Sequence, residues 1–334
     1  STRRPATPRR RAERRGDGYG PRLDRHLDRP ALMAAVTVII PCRNKAAHVG
    51  RCVQSFLDQT VDDFQLIISD QGSEDGSAVE IALTLAAYGG SKKVDFMRCP
   101  ETEYRGHAGL DAHLNWLHQH ITGDLVIMCS ADDFVHPQRV ERTRWAFETF
   151  NPSYVSTRLE YKTPEGAYAG ETGFPDRCSR WIAPAECFKY LIGSSGSSTW
   201  SRDLFEKYGP LAGIEGQDMV LPAMALMERG IYYLDEPLHY YVKHASLDNT
   251  GTGGMLAAAV DERQEKQLYE LNAFHYLHHW MSIYRRLQRF EHMGRLSTDA
   301  QGELMNQVVN AANQLITARE VLTMERIEPL AMRA

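Results

Sequence analysis

The chain has 334 residues, 43% of them hydrophobic and 24% charged, and a formal net charge of −5. That length suits one large domain or two small ones, and no apolar run approaches the roughly 20 residues that span a membrane, which excludes a transmembrane helix. Six scattered cysteines, with neither CxxC nor Cys/His zinc spacing, point to reduced thiols and a cytoplasmic or membrane-peripheral protein.

The charge is uneven. Residues 1–30 carry ten Arg against four acids, a net of +6, which leaves about −11 on the rest. The cluster Arg9, Arg10, Arg11, Arg14 and Arg15 is chemically able to touch nucleic acid or an anionic membrane. Its apolar-poor surroundings predict instead a disordered tail over residues 1–32, with no nucleic-acid partner. Met33 stands directly before the first strand, so the tail reads as an upstream extension, and it has no apolar core for a secretory signal.

Val36 to Ile40 predicts a first strand, stopped by Pro41. The loop Pro41-Cys42-Arg43-Asn44-Lys45 leads to a helix from Ala46 to Asp58. Phe64 to Asp70 predicts a second strand, and the turn Gly72-Ser73-Glu74-Asp75-Gly76-Ser77 caps a helix ending near Ala87. Val94 to Arg98 predicts a third strand. A loop with Arg105, Gly106 and Gly109 leads to a helix around Asp111 to His120. The apolar run Leu125 to Cys129 predicts a fourth strand, ending in Ser130-Ala131-Asp132-Asp133. Strands alternating with helices at this spacing predict βαβ units and a mostly parallel, Rossmann-like α/β sheet flanked by helices.

Three of these strands end in polar residues: Arg43 and Asn44, Asp70, and Asp132 with Asp133. In a parallel sheet those carboxyl ends share one edge, where open α/β sheets place their ligands. Two adjacent carboxylates there are easier to tolerate beside a divalent cation and an anionic ligand. The first loop is PCRN rather than GxGxxG, and no Walker A pattern occurs, which excludes an ordinary dinucleotide dehydrogenase and a P-loop NTPase.

A strand ending in P-x-x-N, a second ending in Asp-x-Gly-Ser-x-Asp-Gly-Ser, and a fourth ending in an acidic DxD-like turn together resemble the family 2 glycosyltransferases of the GT-A fold. The resemblance runs from about Ala34 to Asn249. It implies that Pro41, Asn44 and Asp70 contact the nucleoside, and that Arg43, Arg105 and Ala131 line the donor site. It implies also that the turn at Asp132 and Asp133 holds Mn²⁺ or Mg²⁺ on the donor diphosphate. Two departures stand out. Ser130 replaces the usual first Asp of the DxD, and Gln71 replaces a second Asp.

Past Pro137 the pattern predicts a helix to Thr149, a strand from Tyr154 to Leu159, a loop or hairpin from Gly166 to Phe174, and a short helix from Arg180 to Leu191. Gly193 to Arg202 resembles the family's acceptor-side segment, followed by a helix over Asp203 to Tyr208. Trp181 and Trp200 are candidates for sugar stacking or for the core. Glu215-Gly216-Gln217-Asp218 precedes a helix over Met219 to Arg229 and stands where the family carries its Glu-Asp pair, with Gln217 in place of Glu. Asp218 reads as a helix cap from its position and as the catalytic base from the resemblance, with Glu215 as the fallback. After a strand at Ile231 to Leu234, the stretch Pro237 to Ser246 resembles the family's closing segment. There His244 becomes a metal or diphosphate ligand and Lys243 a phosphate contact. Asp248 to Gly254 reads as a lid.

Residues 255–334 lie outside the resemblance and read as helical. An aromatic stripe from Leu268 to Phe290 includes Trp280, Ile283 and Leu287. His275 and His279 have zinc-compatible spacing but no third ligand, so packing is expected. A second helix from Thr298 to Glu325 turns Leu304, Val308, Val309, Ala312 and Leu315 inward. The pair is expected to pack on the catalytic domain or on a second subunit as a homodimer.

The expected organisation is therefore a tail at 1–32, a GT-A domain at 33–254 with a nucleotide half (34–137) and an acceptor half (138–254), and a helical extension at 255–334. The expected activity is metal-dependent, inverting transfer of a sugar from a nucleotide-sugar, UDP favoured, to a hydroxyl on a glycan, peptide or small molecule. Two alternatives stay open. One is a catalytically inactive GT-A domain that binds nucleotide-sugars or scaffolds an assembly. The other is a sugar nucleotidyltransferase.

Overall fold

The apolar runs become strands whose alternate residues feed two separate cores. In β1 (Val36–Cys42), Val38 and Ile40 face Val49, Val53 and Phe56 of α1 (Ala46–Leu57), whereas Ile39 faces the opposite cluster. This follows from the two-residue period of a strand covered by helices on both faces. The computed structural model describes residues 34–100, 106–190, 198–212, 215–244 and 261–331. The tail at 1–32, Arg105 and the lid segment at 248–254 lie outside them.

The N-terminal half continues through β2 (Phe64–Asp70), α2 (Ser77–Ala87), β3 (Val94–Arg98), α3 (Gly106–Leu117) and β4 (Leu125–Met128). Its four strands pair in parallel, with β1 between β2 and β4 and with β3 outside β2. Pro41, expected to stop β1, lies inside it and pairs with Ser69. Its missing N–H costs nothing, because Pro41 turns towards β4, and the register with β4 ends at Ile39 and Met128.

The second half adds β5 (Phe134–Val135), α4 (Arg139–Phe150), β6 (Tyr154–Lys162), β7 (Tyr168–Glu171), β8 (Arg180–Trp181), α5 (Pro184–Tyr190), β9 (Thr199–Ser201), α6 (Arg202–Tyr208), α7 (Gln217–Ala225) and β10 (Ile231–Val242). The sheet runs β3-β2-β1-β4-β9-β6-β10-β5, with β7 on β6 and β8 on β10. Antiparallel β9 joins the parallel half to the parallel pair β6–β10. Two expectations change here. Arg180 and Trp181 form a strand ahead of a helix that begins at Pro184. The strand expected at Ile231 to Leu234 runs on to Val242 through register shifts around Pro237. A bulge is where a strand admits a proline.

The C-terminal helices α8 (Glu262–Arg289) and α9 (Thr298–Ala331) complete the second core. Trp280, Ile283 and Leu287 of α8, with Ala300 and Leu304 of α9, share it with Met128, Trp200 and Val220. Val309, expected inward, is exposed, and so are Met305 and Ile316 on the same helix. Leu304 and Leu315 are inward as expected, and Ala311 is buried beside them.

Candidate active site

The strand order places β1 between β2 and β4, so the crevice between β1 and β4 is the topological switch point of the parallel half. The loop that leaves β1 is held open by the turn that follows β2. Asn44 takes a left-handed φ of 50°, which Asn tolerates better than most residues. Its N–H donates to Ser73 Oγ at 2.9 Å, and its Oδ1 accepts from the Glu74 N–H at 3.0 Å. The Lys45 N–H donates to Ser77 Oγ at 2.7 Å, and the Ala46 N–H to Asp75 Oδ2 at 2.9 Å. Ser73, Asp75 and Ser77 thus knit the two loops together, and Asn44 spends its side-chain oxygen on the same task.

Asp70 closes β2 and is buried at 3% exposure. Its Oδ2 accepts from the Ser73 N–H at 3.2 Å, while buried Oδ1 has no partner among the described residues. An unpaired buried carboxylate oxygen is costly and marks a place for a donor group from a ligand. Arg43 donates through Nη1 to the Gln71 carbonyl at 3.0 Å, so it fixes the end of β2 rather than projecting freely. Beneath it, His113 of α3 meets Ser69 Oγ at 2.7 Å. Burial, helped by the Arg43 charge, pushes the His113 imidazole down to about 3.

Beyond β4, Ala131 is buried and the two neighbouring carboxylates have separate surroundings. Asp133 accepts from the Val242 N–H at 2.9 Å and meets His239 Nε2 at 3.0 Å, with both side chains almost wholly buried. Burial opposes the charge on each partner. The Asp133 contact prevails for the imidazole and lifts it to about 9, while the Asp133 carboxyl is raised by burial against the opposing pull of His239. Asp133 therefore fastens the end of β10 to the turn.

Asp132 faces the crevice. Its Oδ2 receives Lys45 Nζ at 2.8 Å and His244 Nε2 at 3.0 Å. Burial acts to raise this carboxyl, but the His244 and Lys45 contacts win and hold it well below the usual range. His48, one turn into α1, stacks on His244 with ring centroids 4.5 Å apart. The expected ligands Asp132 and His244 are thus brought together, from positions far apart in sequence. Among the described residues no three His, Cys, Asp or Glu side chains gather as a metal cage. Lys243 does not join the cluster through any described contact; its ammonium lies 3.9 Å from the Tyr161 ring centroid. Lys45 and His48 escaped the sequence reading. The available signal was a cation directly after Asn44 and a His three residues further on.

Asp218 lies in the first turn of α7 and is half-buried. Gln217 beside it reaches Met128 Sδ at 3.5 Å, which sets the start of α7 against the end of β4. Gly216 is needed before the helix. It has a φ of 68°, and a Cβ there would meet Asp218 Oδ1 at 3.2 Å and His279 Nε2 at 3.3 Å. Glu215, the fallback base, is already engaged. Its Oε1 accepts from Arg286 Nε at 2.9 Å, its Oε2 takes a second Arg286 nitrogen, and its own N–H donates to Asp111 Oδ2 at 2.8 Å. Burial raises the Asp111 carboxyl to about 8. Trp200 is buried in the core, and Trp181 packs edge-on against Tyr232 at 5.7 Å.

A parallel N-terminal half with a polar switch-point crevice, continued by a mixed second half that carries an acid at a helix start, defines the class of GT-A glycosyltransferase domains. The chain belongs to glycosyl transferase family 2, whose family model matches residues 37–210. It is 22% identical to the glycosyltransferase GlyA of Streptococcus pneumoniae over 265 residues, which covers 75% of this chain and 37% of that protein. It is 31% identical to the hyaluronan synthase of Pasteurella multocida over 118 residues, 35% of this chain and 11% of the synthase. The chain thus spans little more than a third of the first relative and about a tenth of the second. Among solved structures, S. aureus TarS 1-349 in complex with UDP-GlcNAc aligns with a TM-score of 0.52 at 14% identity, covering 84% of this chain and 81% of that one. The mannosyltransferase PcManGT from Pyrobaculum calidifontis, in complex with GDP-Man and Mn²⁺, aligns at 0.50 with 17% identity, covering 90% and 81%.

Proposed function

We propose that this domain transfers a sugar from a nucleotide-sugar, with a UDP-sugar favoured, to an acceptor hydroxyl, with inversion and with Mn²⁺ or Mg²⁺ as cofactor. The observation that carries this reading is the switch-point crevice. It has a buried Asp70 oxygen without a partner among the described residues on the β2 side and the Asp132–Lys45–His244 cluster on the β4 side. The first suits the hydrogen-bond donors of a nucleoside, and the second suits a diphosphate. The solved complexes of similar fold hold UDP-GlcNAc in one case and GDP-Man with Mn²⁺ in the other.

A divalent ion fits the donor set. Asp132 offers one carboxylate and His244 one imidazole, and hard cations of this kind take few protein ligands when substrate phosphates complete the shell. When bound, the ion supplies positive charge against the departing diphosphate. Asp133 keeps the turn in place through Val242 and His239. Asp218 is the residue we assign as general base for the acceptor hydroxyl. Its place in the first turn of α7 favours the ionised form. Among the described residues no helix is long and apolar enough to cross a membrane. We place the protein in the cytoplasm or at a membrane surface. The exposed Met305, Val309 and Ile316 stripe on α9 supports pairing of two copies through the C-terminal helices.

The test is a panel of UDP-, GDP- and dTDP-sugars in Mn²⁺ and in EDTA, read by thermal shift and by donor hydrolysis. Stabilisation and turnover with at least one donor, lost in EDTA, is the expected outcome. A protein that binds and hydrolyses none of them overturns the reading.

A further inference from the structure

Lys45 stands directly across the switch point. Its backbone leaves β1, and its ammonium meets the carboxylate beyond β4. Both side chains are largely buried, at 11% exposure each. The N–H of Lys45 is pinned by Ser77 Oγ at 2.7 Å, so the long side chain is the part free to move. Asp132 Oδ2 receives both Lys45 and His244. A divalent ion held by Asp132 and His244 would compete with the ammonium for this oxygen. His244 can stay, because it stacks on His48.

Resting on the donor reading above, we infer that Lys45 is a donor-diphosphate ligand held in reserve, with its ammonium on Asp132 until a divalent ion takes that carboxylate and then turned onto the diphosphate oxygens. Three observations carry this. Asp132 is the only ion-pair partner of Lys45 among the described residues. A nucleoside diphosphate parting from its sugar, unlike the intact donor diester, carries more negative charge than one divalent ion cancels. A lysine on a flexible stem binds phosphate as a movable point charge, without the fixed fork an arginine would need. The resting pair also keeps the Asp132 carboxylate oriented.

The experiment compares the parent with Lys45→Met and Lys45→Arg, using UDP, GDP, uridine and guanosine as probes in calorimetry with saturating Mn²⁺. Lys45→Met is expected to weaken the diphosphate that the parent binds by about tenfold or more, and to leave the matching nucleoside unchanged, since a bond to a charged group is at stake. Lys45→Arg is expected to restore most of the loss. In nucleotide-free protein, Mn²⁺ binding read by electron paramagnetic resonance is expected to tighten in Lys45→Met, because the competitor for Oδ2 is gone. Equal effects on diphosphate and nucleoside, or no effect on either, would overturn the assignment. Weaker or unchanged Mn²⁺ binding would overturn the hand-over. If the parent binds neither diphosphate, the donor reading itself fails and this inference falls with it. A matching far-UV spectrum and melting temperature show that each variant is folded.

Discussion

Arg286 of α8 closes on Glu215 with two nitrogens, Nε at 2.9 Å from Oε1 and Nη2 on Oε2, and the same guanidinium donates to the carbonyls of Tyr208 and Pro210. The helix beyond the family match therefore fixes the loop that presents Asp218. Removing one member of a buried pair leaves the other charge stranded, typically at about 3–5 kcal/mol. Arg286→Met is expected to lower the unfolding free energy in urea by that amount. The double variant Glu215→Gln/Arg286→Met should recover part of it. A loss of less than about 1 kcal/mol would show that the pair is dispensable.

The two neighbouring aspartates should separate cleanly. Asp133 has buried partners in His239 and Val242, so Asp133→Ala is expected to lower stability by about 2–5 kcal/mol. Asp132→Asn keeps an acceptor for Lys45 and His244, so it should lose less stability than Asp133→Ala and should lose the effect of Mn²⁺ on donor affinity. Circular dichroism melts and calorimetry with and without EDTA check both. Equal destabilisation by the two variants would contradict the division.

His113 should make the protein acid-sensitive. Its folded value of about 3 lies below the ordinary 6.5 because burial disfavours the imidazolium. The unfolded chain then binds a proton that the folded chain refuses. Stability from this site is complete above about pH 6.5 and falls as pH drops towards 3, by about 1.4 kcal/mol per pH unit. Asp111, raised to about 8, acts in the opposite direction, with stability falling as pH rises from 3.8. Comparing the parent with His113→Gln removes that shared term. The variant should lose less stability than the parent between pH 6 and pH 4, and parallel curves would refute the assignment.

Asp218→Asn keeps a polar side chain in the first turn of α7 and removes the proton acceptor. General base catalysis is typically worth about 10² to 10⁴ in rate. The variant is expected to lose kcat on that scale with donor Kd nearly unchanged. Retention of more than a tenth of parental kcat, with chemistry limiting, would exclude the role. Glu215 is a poor replacement, because Arg286 already holds its carboxylate.

The sequence alone determined the parallel half and the polar ends of its strands. Phe64–Asp70 and Val94–Arg98 were legible to the residue, because burial from both faces demands a continuous apolar run and its polar end is local. Elements that depend on partners were not legible. Two-residue β5 has no pattern of its own, Pro41 is tolerated only because β4 ends beside it, and Val309 points outward because the packing of α9 turns Leu304, Ala311 and Leu315 in. The site divides in the same way. Asp70, Asp132 and His244 were readable as residue types in motif order. Only the register of β10 against β5 and β6 could decide that Asp133 takes His239 while Asp132 takes His244. Lys45 on Asp132 and Arg286 on Glu215 join residues far apart in the chain. No local pattern encodes such pairs, because their energy depends on burial and distance that exist only once the sheet and its covering helices have come together.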